Sequence, residues 1–235
     1  MNTNTMHILD LGITKCYLLR LQDGYLLIDT GYHGDYAKFK KKLAAINVNM
    51  QDIDYLLLTH HHDDHAGFAA RLKKETGCRL IVQADSVTPL AEGKSRDTMK
   101  PVNLRIRLLF GIFSLFHGGF EYPPVHTDEN DFIIEGDNYS VLPSIGINGK
   151  ILHTPGHCFD SMSAVLSDGR AFVGDAAMNF LPGTGIRHRP IYIESLEQVY
   201  AGWDKLKKAG AATIYPAHGK PFDADRLTAP VSVSP

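Results

Sequence analysis

An apolar run, Tyr55-Leu56-Leu57-Leu58, gives way abruptly to Thr59-His60-His61-His62-Asp63-Asp64-His65 before small residues return at Ala66-Gly67. A segment apolar on both faces reads as a strand buried within an α/β layer, so the side chains that follow it are delivered to the edge of a core. In extended backbone alternate side chains share a face. His60 and His62 then point one way, while His61 and Asp63 point the other, and His61 is expected to matter little. Asp63 or Asp64 caps a helix running through Phe68 to Lys74. Neutral imidazoles are strong ligands for zinc and similar ions, and an adjoining carboxylate adds negative charge and accepts protons. One segment thus offers four donors: His60, His62, Asp64 and His65.

The pattern Thr59-His60-x-His62-x-Asp64-His65-x-Gly67 resembles the His-x-His-x-Asp-His signature of the metallo-β-lactamase superfamily. Its partners follow in order. Thr154-Pro155-Gly156-His157 resembles the second histidine motif, Val173-Gly174-Asp175 the bridging aspartate, and Pro216-Ala217-His218-Gly219 the last histidine. Ile28-Asp29-Thr30-Gly31 is similar to the first motif, and the resemblance gives Asp29 and Thr59 supporting places behind the donors. It covers nearly the whole chain outside a stretch from about Ser86 to Asn130. What it implies is an α/β chain folded as a four-layer αββα metallo-β-lactamase sandwich with a helical insertion. One metal would take His60, His62 and His157, a second Asp64, His65 and His218, with Asp175 between them.

The resemblance further implies a binuclear zinc-dependent hydrolase. Two divalent ions would make a shared water ionise near neutral pH, and the hydroxide would attack an ester, lactone or thioester. Asp64 is the catalytic carboxylate, able to take a proton and return it to the leaving atom. The histidine-rich set favours zinc, with iron, manganese or cobalt as alternatives. His62 stands where flavodiiron-type relatives carry a glutamate, which disfavours dioxygen reduction. The alternatives are a mononuclear-iron oxidoreductase acting on a sulfur substrate, and β-lactam or phosphodiester hydrolysis by the same site. Lactonases typically carry a tyrosine three residues after the bridging aspartate, where this chain has Met178. Met178, Arg187 and His188 are candidate substrate contacts, the latter two for an anionic group.

With 235 residues and 44% hydrophobic content, residues 1–235 make one domain able to bury a sizeable core. Lys+Arg 24 against Asp+Glu 26 leaves a net charge of −2 and no basic stripe, so a small-molecule substrate is expected and nucleic acid is not. Met1-Asn2-Thr3-Asn4-Thr5 lacks the basic start and apolar core of a signal peptide, and three cysteines without CxxC spacing fit a reducing compartment. The expected localisation is cytoplasmic.

Strands are expected at Met6–Leu11, Cys16–Leu21, Tyr25–Asp29, Arg79–Gln83, Phe132–Ile134, Tyr139–Leu142, Lys150–His153, Ser163–Ser167, Ala171–Val173 and Thr213–Tyr215. Amphipathic helices are expected at Asp35–Ile46 and Glu194–Ala209. The second half echoes the first. Between them, the apolar run from Val102 to Phe116 is interrupted by Arg105 and Arg107 and falls short of the roughly 20 residues of a membrane span. It reads as an inserted helix or helix pair within about 86–130. Folded over the site as a lid, it would turn Phe113 and Phe116 toward an apolar substrate; otherwise it packs in the core or forms a homodimer interface. The tail, 229–235, reads as disordered.

Overall fold

Three apolar segments separated by tight turns open the chain as an antiparallel meander, β1 (Met6–Asp10), β2 (Lys15–Arg20) and β3 (Tyr25–Ile28). The computed structural model describes residues 5–95, 99–113 and 120–229, and only the backbone of 110–113. Helix α1 (Tyr36–Ala45) buries Tyr36, Phe39 and Leu43, which recur at helical spacing, and crosses over to β4 (Ile53–Leu57), parallel to β3. Two helices follow, α2 (Asp63–Ala66) and α3 (Ala69–Thr76), the latter ended by Gly77 in the left-handed region. Then come β5 (Arg79–Gln83), α4 (Val87–Glu92), β6 (Lys100–Pro101), α5 (Leu104–Phe113) and β7 (Phe132–Ile134). The first sheet has the order β1-β2-β3-β4-β5-β7.

After a short helix, α6 (Val141–Ser144), the same plan repeats. A second meander, β8 (Gly149–His153), β9 (Met162–Leu166) and β10 (Arg170–Gly174), leads through β11 (Tyr192–Ile193) and α7 (Leu196–Lys208) to β12 (Thr213–Pro216), parallel to β10. With β13 (Phe222–Asp223) the second sheet is ordered β13-β12-β10-β9-β8, and β11 pairs with β6 in a small separate ribbon.

Three apolar layers hold this together. Phe39, Leu43, Phe68 and Leu72 pack helices on the outer face of the first sheet, Tyr17, Leu57, Ile81, Met162 and Phe172 fill the space between the sheets, and Val199, Trp203 and Leu206 seat α7 on the second sheet. Fully burying a side chain of the size of Phe39 or Phe172 stabilises the fold by roughly 1.5–3 kcal/mol. The result is the expected αββα sandwich.

Four local expectations are corrected. The strand β4 ends at Leu57, so His60 and His62 stand in a loop beyond it rather than in extended strand. His62 holds the N-cap position of α2 without a side-chain cap, and Asp63 and Asp64 occupy the first turn, where carboxylates favour the positive end of the helix. The single helix expected from the Asp63 or Asp64 cap through Phe68 to Lys74 is divided into α2 and α3. Tyr139–Leu142 is no strand, because Asn138 Oδ1 accepts the Ser140 and Val141 N–H groups at 3.0 and 2.8 Å and starts the turn that becomes α6. Phe116 and the tail from 230 lie outside the described residues. No helix among the described residues is long and apolar enough to cross a membrane.

Candidate metal centre

Both sheets direct chain segments to one edge of the sandwich, where five histidines and two aspartates meet. Four of the rings are held from behind through Nδ1. Thr59 Oγ1 lies 3.1 Å from His60 Nδ1, and Asp29 Oδ2 accepts from His65 Nδ1 at 2.9 Å. The carbonyl of Tyr192 accepts from His157 Nδ1 at 2.8 Å and that of Ile13 from His218 Nδ1 at 3.0 Å. Each of these rings therefore turns Nε2 inward, the arrangement by which an outer partner fixes the tautomer of a donor histidine. His62 differs. It turns Nδ1 inward, 3.0 Å from both His60 Nε2 and His157 Nε2.

The carboxylates join two groups of rings. Asp175 Oδ2 lies 3.5 Å from His157 Nε2, and its Oδ1 lies 3.4 Å from His65 Nε2 and 3.3 Å from His218 Nε2. Asp64 Oδ2 lies 3.1 Å from His218 Nε2, with Oδ1 3.6 Å from His65 Nε2. His60, His62 and His157 thus form one cluster and Asp64, His65 and His218 an adjoining one, with Asp175 touching members of both.

Local backbone makes this convergence possible. Asp29 follows β3 with φ 58°, a left-handed conformation held by its own side chain, whose Oδ1 accepts from the Thr59 N–H and whose Oδ2 accepts from the Thr59 hydroxyl, both at 2.7 Å. Before Asp175, Gly174 has φ 50°, and a Cβ there would come within 2.2 Å of Thr59 Oγ1. Trp203 of α7 donates its indole N–H to the Ala176 carbonyl at 2.8 Å and anchors the turn after Asp175.

The donors suit divalent cations. His65 Nε2 and Asp175 Oδ1 are buried and face each other at 3.4 Å without a well-formed hydrogen bond, a gap suited to a cation. Burial, reinforced by the neighbouring rings, holds His60 and His62 well below the ordinary histidine range, and burial lowers His157. Those three are neutral, as ligation requires. In the other cluster burial is outweighed. Asp64, Asp175 and Asp29 push His65 well up, and Asp175 and Asp64 raise His218. Burial alone would raise Asp64 and Asp175, yet His65 and His218 hold both carboxylates low. Protons on two histidines offset two buried carboxylates, a balance that a divalent cation takes over by displacing them.

The sequence model of the metallo-beta-lactamase superfamily matches residues 9–218. The chain belongs to this superfamily. It is 47% identical over 230 residues to the probable metallo-hydrolase YqjP of Bacillus subtilis, covering 90% of this chain and 68% of that one. To a hydroxyacylglutathione hydrolase of Rhodopseudomonas palustris it is 26% identical over 166 residues, 69% of this chain and 49% of the relative. The fold is shared with BJP-1, a subclass B3 metallo-beta-lactamase of Bradyrhizobium japonicum, at TM-score 0.60 and 23% identity, with 93% of this chain and 76% of that chain covered. The chain spans between about half and two thirds of the length of several curated relatives it matches.

Within this superfamily member the other residues singled out by sequence fall around the centre. Met178 is buried, and its N–H donates to the His188 carbonyl at 2.9 Å. His188 stacks on Phe222 with ring centroids 4.0 Å apart. Arg187 is exposed, and Leu181, Arg187 and His188 all have positive φ, between 49° and 68°, in one loop. Phe113 is the last residue of α5, and Phe116 lies outside the described residues. The Cys158 thiol lies within 4.8 Å of donor atoms of His60, His62 and His157, but burial raises it well above its usual range, so it stays a thiol.

Three features were missed from sequence. Thr14 Oγ1 donates to Asp64 Oδ2 at 3.4 Å, a contact across fifty residues that no spacing announces. The carbonyls of Ile13 and Tyr192 have no side-chain signature at all. His61, expected to be an outward bystander, is fully buried against Asp160, and the third histidine of the run was the available signal.

Proposed function

We propose that this chain is a hydrolase that takes up two divalent ions, zinc by preference, and opens an ester, lactone or thioester with an apolar acyl part. The observation that carries this reading is the pair of adjoining donor clusters with Asp175 in contact with both. His60, His62 and His157 would hold one ion, Asp64, His65 and His218 the other, and Asp175 would serve both. Bound there, the ions would polarise the substrate carbonyl and supply a nucleophile by lowering the pKa of water to about 7. Asp64 would handle protons. Its side chain is 13% exposed, against 6% or less for Asp175, His157, His218 and His65, so of these it has the best access to a substrate at the rim. Asp29 and Thr59 would keep the rings oriented. Burial raises the neighbouring Cys158 thiol well above its usual range, which supports water as the attacking group.

The acyl preference rests on the inserted segment. Its helix α5 is tied to the rim of the site: Arg105 donates to the Gly183 carbonyl at 2.9 Å, Asn103 to that of Thr184 at 3.3 Å, and β6 pairs with β11, whose Tyr192 carbonyl holds His157. Ile106 is buried while Leu104, Leu108 and Leu109 remain exposed, apolar side chains on the element so tethered. The similarity to hydroxyacylglutathione hydrolases supports a thioester among the candidates.

A panel of lactones, thioesters, acyl esters, β-lactams and phosphodiesters, assayed with zinc-loaded protein, tests this. Carboxylic esters or thioesters should be cleaved, with kcat/KM rising about fourfold for each added methylene that is buried, as about 0.8 kcal/mol per methylene requires. Activity confined to β-lactams or phosphodiesters, or a flat dependence on acyl length, would contradict the substrate assignment.

A further inference from the structure

Asp160 is a fully buried carboxylate that groups with His61 and Cys158 rather than with the seven donors, yet it stands between the two chain segments that carry His60, His62 and His157. Its Oδ2 accepts three hydrogen bonds: from the His61 N–H at 3.0 Å, from His61 Nδ1 at 2.9 Å and from Ser86 Oγ at 2.7 Å. The Tyr122 hydroxyl donates to the His61 carbonyl. His61 is thereby gripped at its amide, its carbonyl and its ring, and it is the residue between His60 and His62. Asp160 itself follows His157 by three residues, in a loop closed by the Thr154 N–H on the Ser161 carbonyl and joined to the first segment by the Met162 N–H on the Thr59 carbonyl, both at 2.8 Å.

A buried carboxylate costs several kcal/mol, and this one bonds through Oδ2 while Oδ1 is buried without a hydrogen-bond partner, so a pure packing role would be served better by an apolar side chain. What the carboxylate adds here is a fixed distance between two loops. His62 Nδ1 must sit 3.0 Å from both His60 Nε2 and His157 Nε2, which come from those two loops, and a metal site tolerates only about 0.2 Å of error in its donor distances. The other cluster has its own brace in Asp29, which reaches Thr59 and His65.

We infer that Asp160, acting through His61, is a positioning residue for the His60–His62–His157 cluster and sets the metal affinity of that cluster without setting that of the Asp64–His65–His218 cluster. This rests on the reading of both clusters as metal-binding. The role is divided between two carboxylates. Asp29 reaches His65 directly and His60 only through Thr59, whereas Asp160 joins the two loops that carry His60, His62 and His157.

Cobalt(II) titration of the full chain against a chelator, followed by the visible ligand-field bands, separates two binding steps and tests this. His61→Ala should weaken one step about 10–100-fold, with a changed ligand-field spectrum, and leave the other within about threefold. His61→Asn, whose amide nitrogen falls near the place of Nδ1, should restore the weakened step to within about threefold. If His61→Ala fails to fold by circular dichroism, Asp160→Asn carries the same comparison and should show the same single-step loss. Equal weakening of both steps, unchanged affinity, or an asparagine no better than alanine at position 61 would overturn the positioning role. A wild-type chain that binds no cobalt would overturn the metal reading together with it, whereas wild-type binding in two steps that the variants leave untouched overturns the positioning role alone.

Discussion

Asp64→Asn lowers kcat/KM by at least about a hundredfold on the best substrate of the panel, because it removes a charged donor and the candidate proton carrier together. Asparagine keeps the shape and one acceptor oxygen, so the loss reports charge and proton transfer rather than packing. The neighbouring carboxylate supplies the control. Asp63 exchanges hydrogen bonds with Ser95, its N–H donating to Ser95 Oγ at 3.1 Å and its Oδ1 accepting from that hydroxyl at 3.3 Å, away from the rings. Burial and the charge on Asp64 raise Asp63 to about 6, and its hydrogen bonds fall outside both donor clusters. Asp63→Asn should therefore change kcat/KM by less than about fivefold, within the usual effect of a group outside the reacting set. Steady-state kinetics on both variants decides the matter, and equal losses would show that the two carboxylates have been assigned the wrong way round.

The second large effect is on stability. Asp29→Ala removes the acceptor of three buried donors, the Thr59 N–H, the Thr59 hydroxyl and His65 Nδ1. Removing one partner of a buried charged network costs about 3–5 kcal/mol. In a chain of this size each kcal/mol moves Tm by about 2–4 °C, so a fall of roughly 6–20 °C is expected by circular dichroism in the presence of a chelator. The chelator matters, since bound ions would add their own stabilisation and hide part of the change. A Tm within about 2 °C of wild type would mean that Asp29 does not brace the loop.

Much of the centre was legible because its donors sit in short motifs at strand ends, where a break from apolar to polar residues marks the edge of the core. His60, His62, Asp64 and His65 could be read as a group, and the resemblance brought His157, Asp175 and His218 to them. The sandwich was legible for a similar reason, since apolar strands with tight turns followed by an amphipathic helix occur twice. What could not be read was what lies behind the donors. His61 meets Asp160 across 99 residues, Thr14 meets Asp64 across 50, and His218 rests on a backbone carbonyl 205 residues away. Periodicity set His61 apart from His60 and His62 but carried no information on whether solvent or a second layer of protein lies around it. Tyr139–Leu142 was misread because its β-forming residues were weighed without the side chain of Asn138, which starts a helical turn instead. The inserted segment was legible as a helix at α5 alone, since β6 has only two residues and owes its conformation to β11.

The central claim is that two complete donor clusters make a binuclear hydrolase, and the most direct test is metal content measured on the same preparation as activity. Elemental analysis of the chain purified without chelator and loaded with zinc should give about two divalent ions per chain. Hydrolysis should vanish on chelation and return with zinc. A reproducible single equivalent of iron, with oxidation of a sulfur substrate in air and no hydrolysis under either condition, would contradict the account.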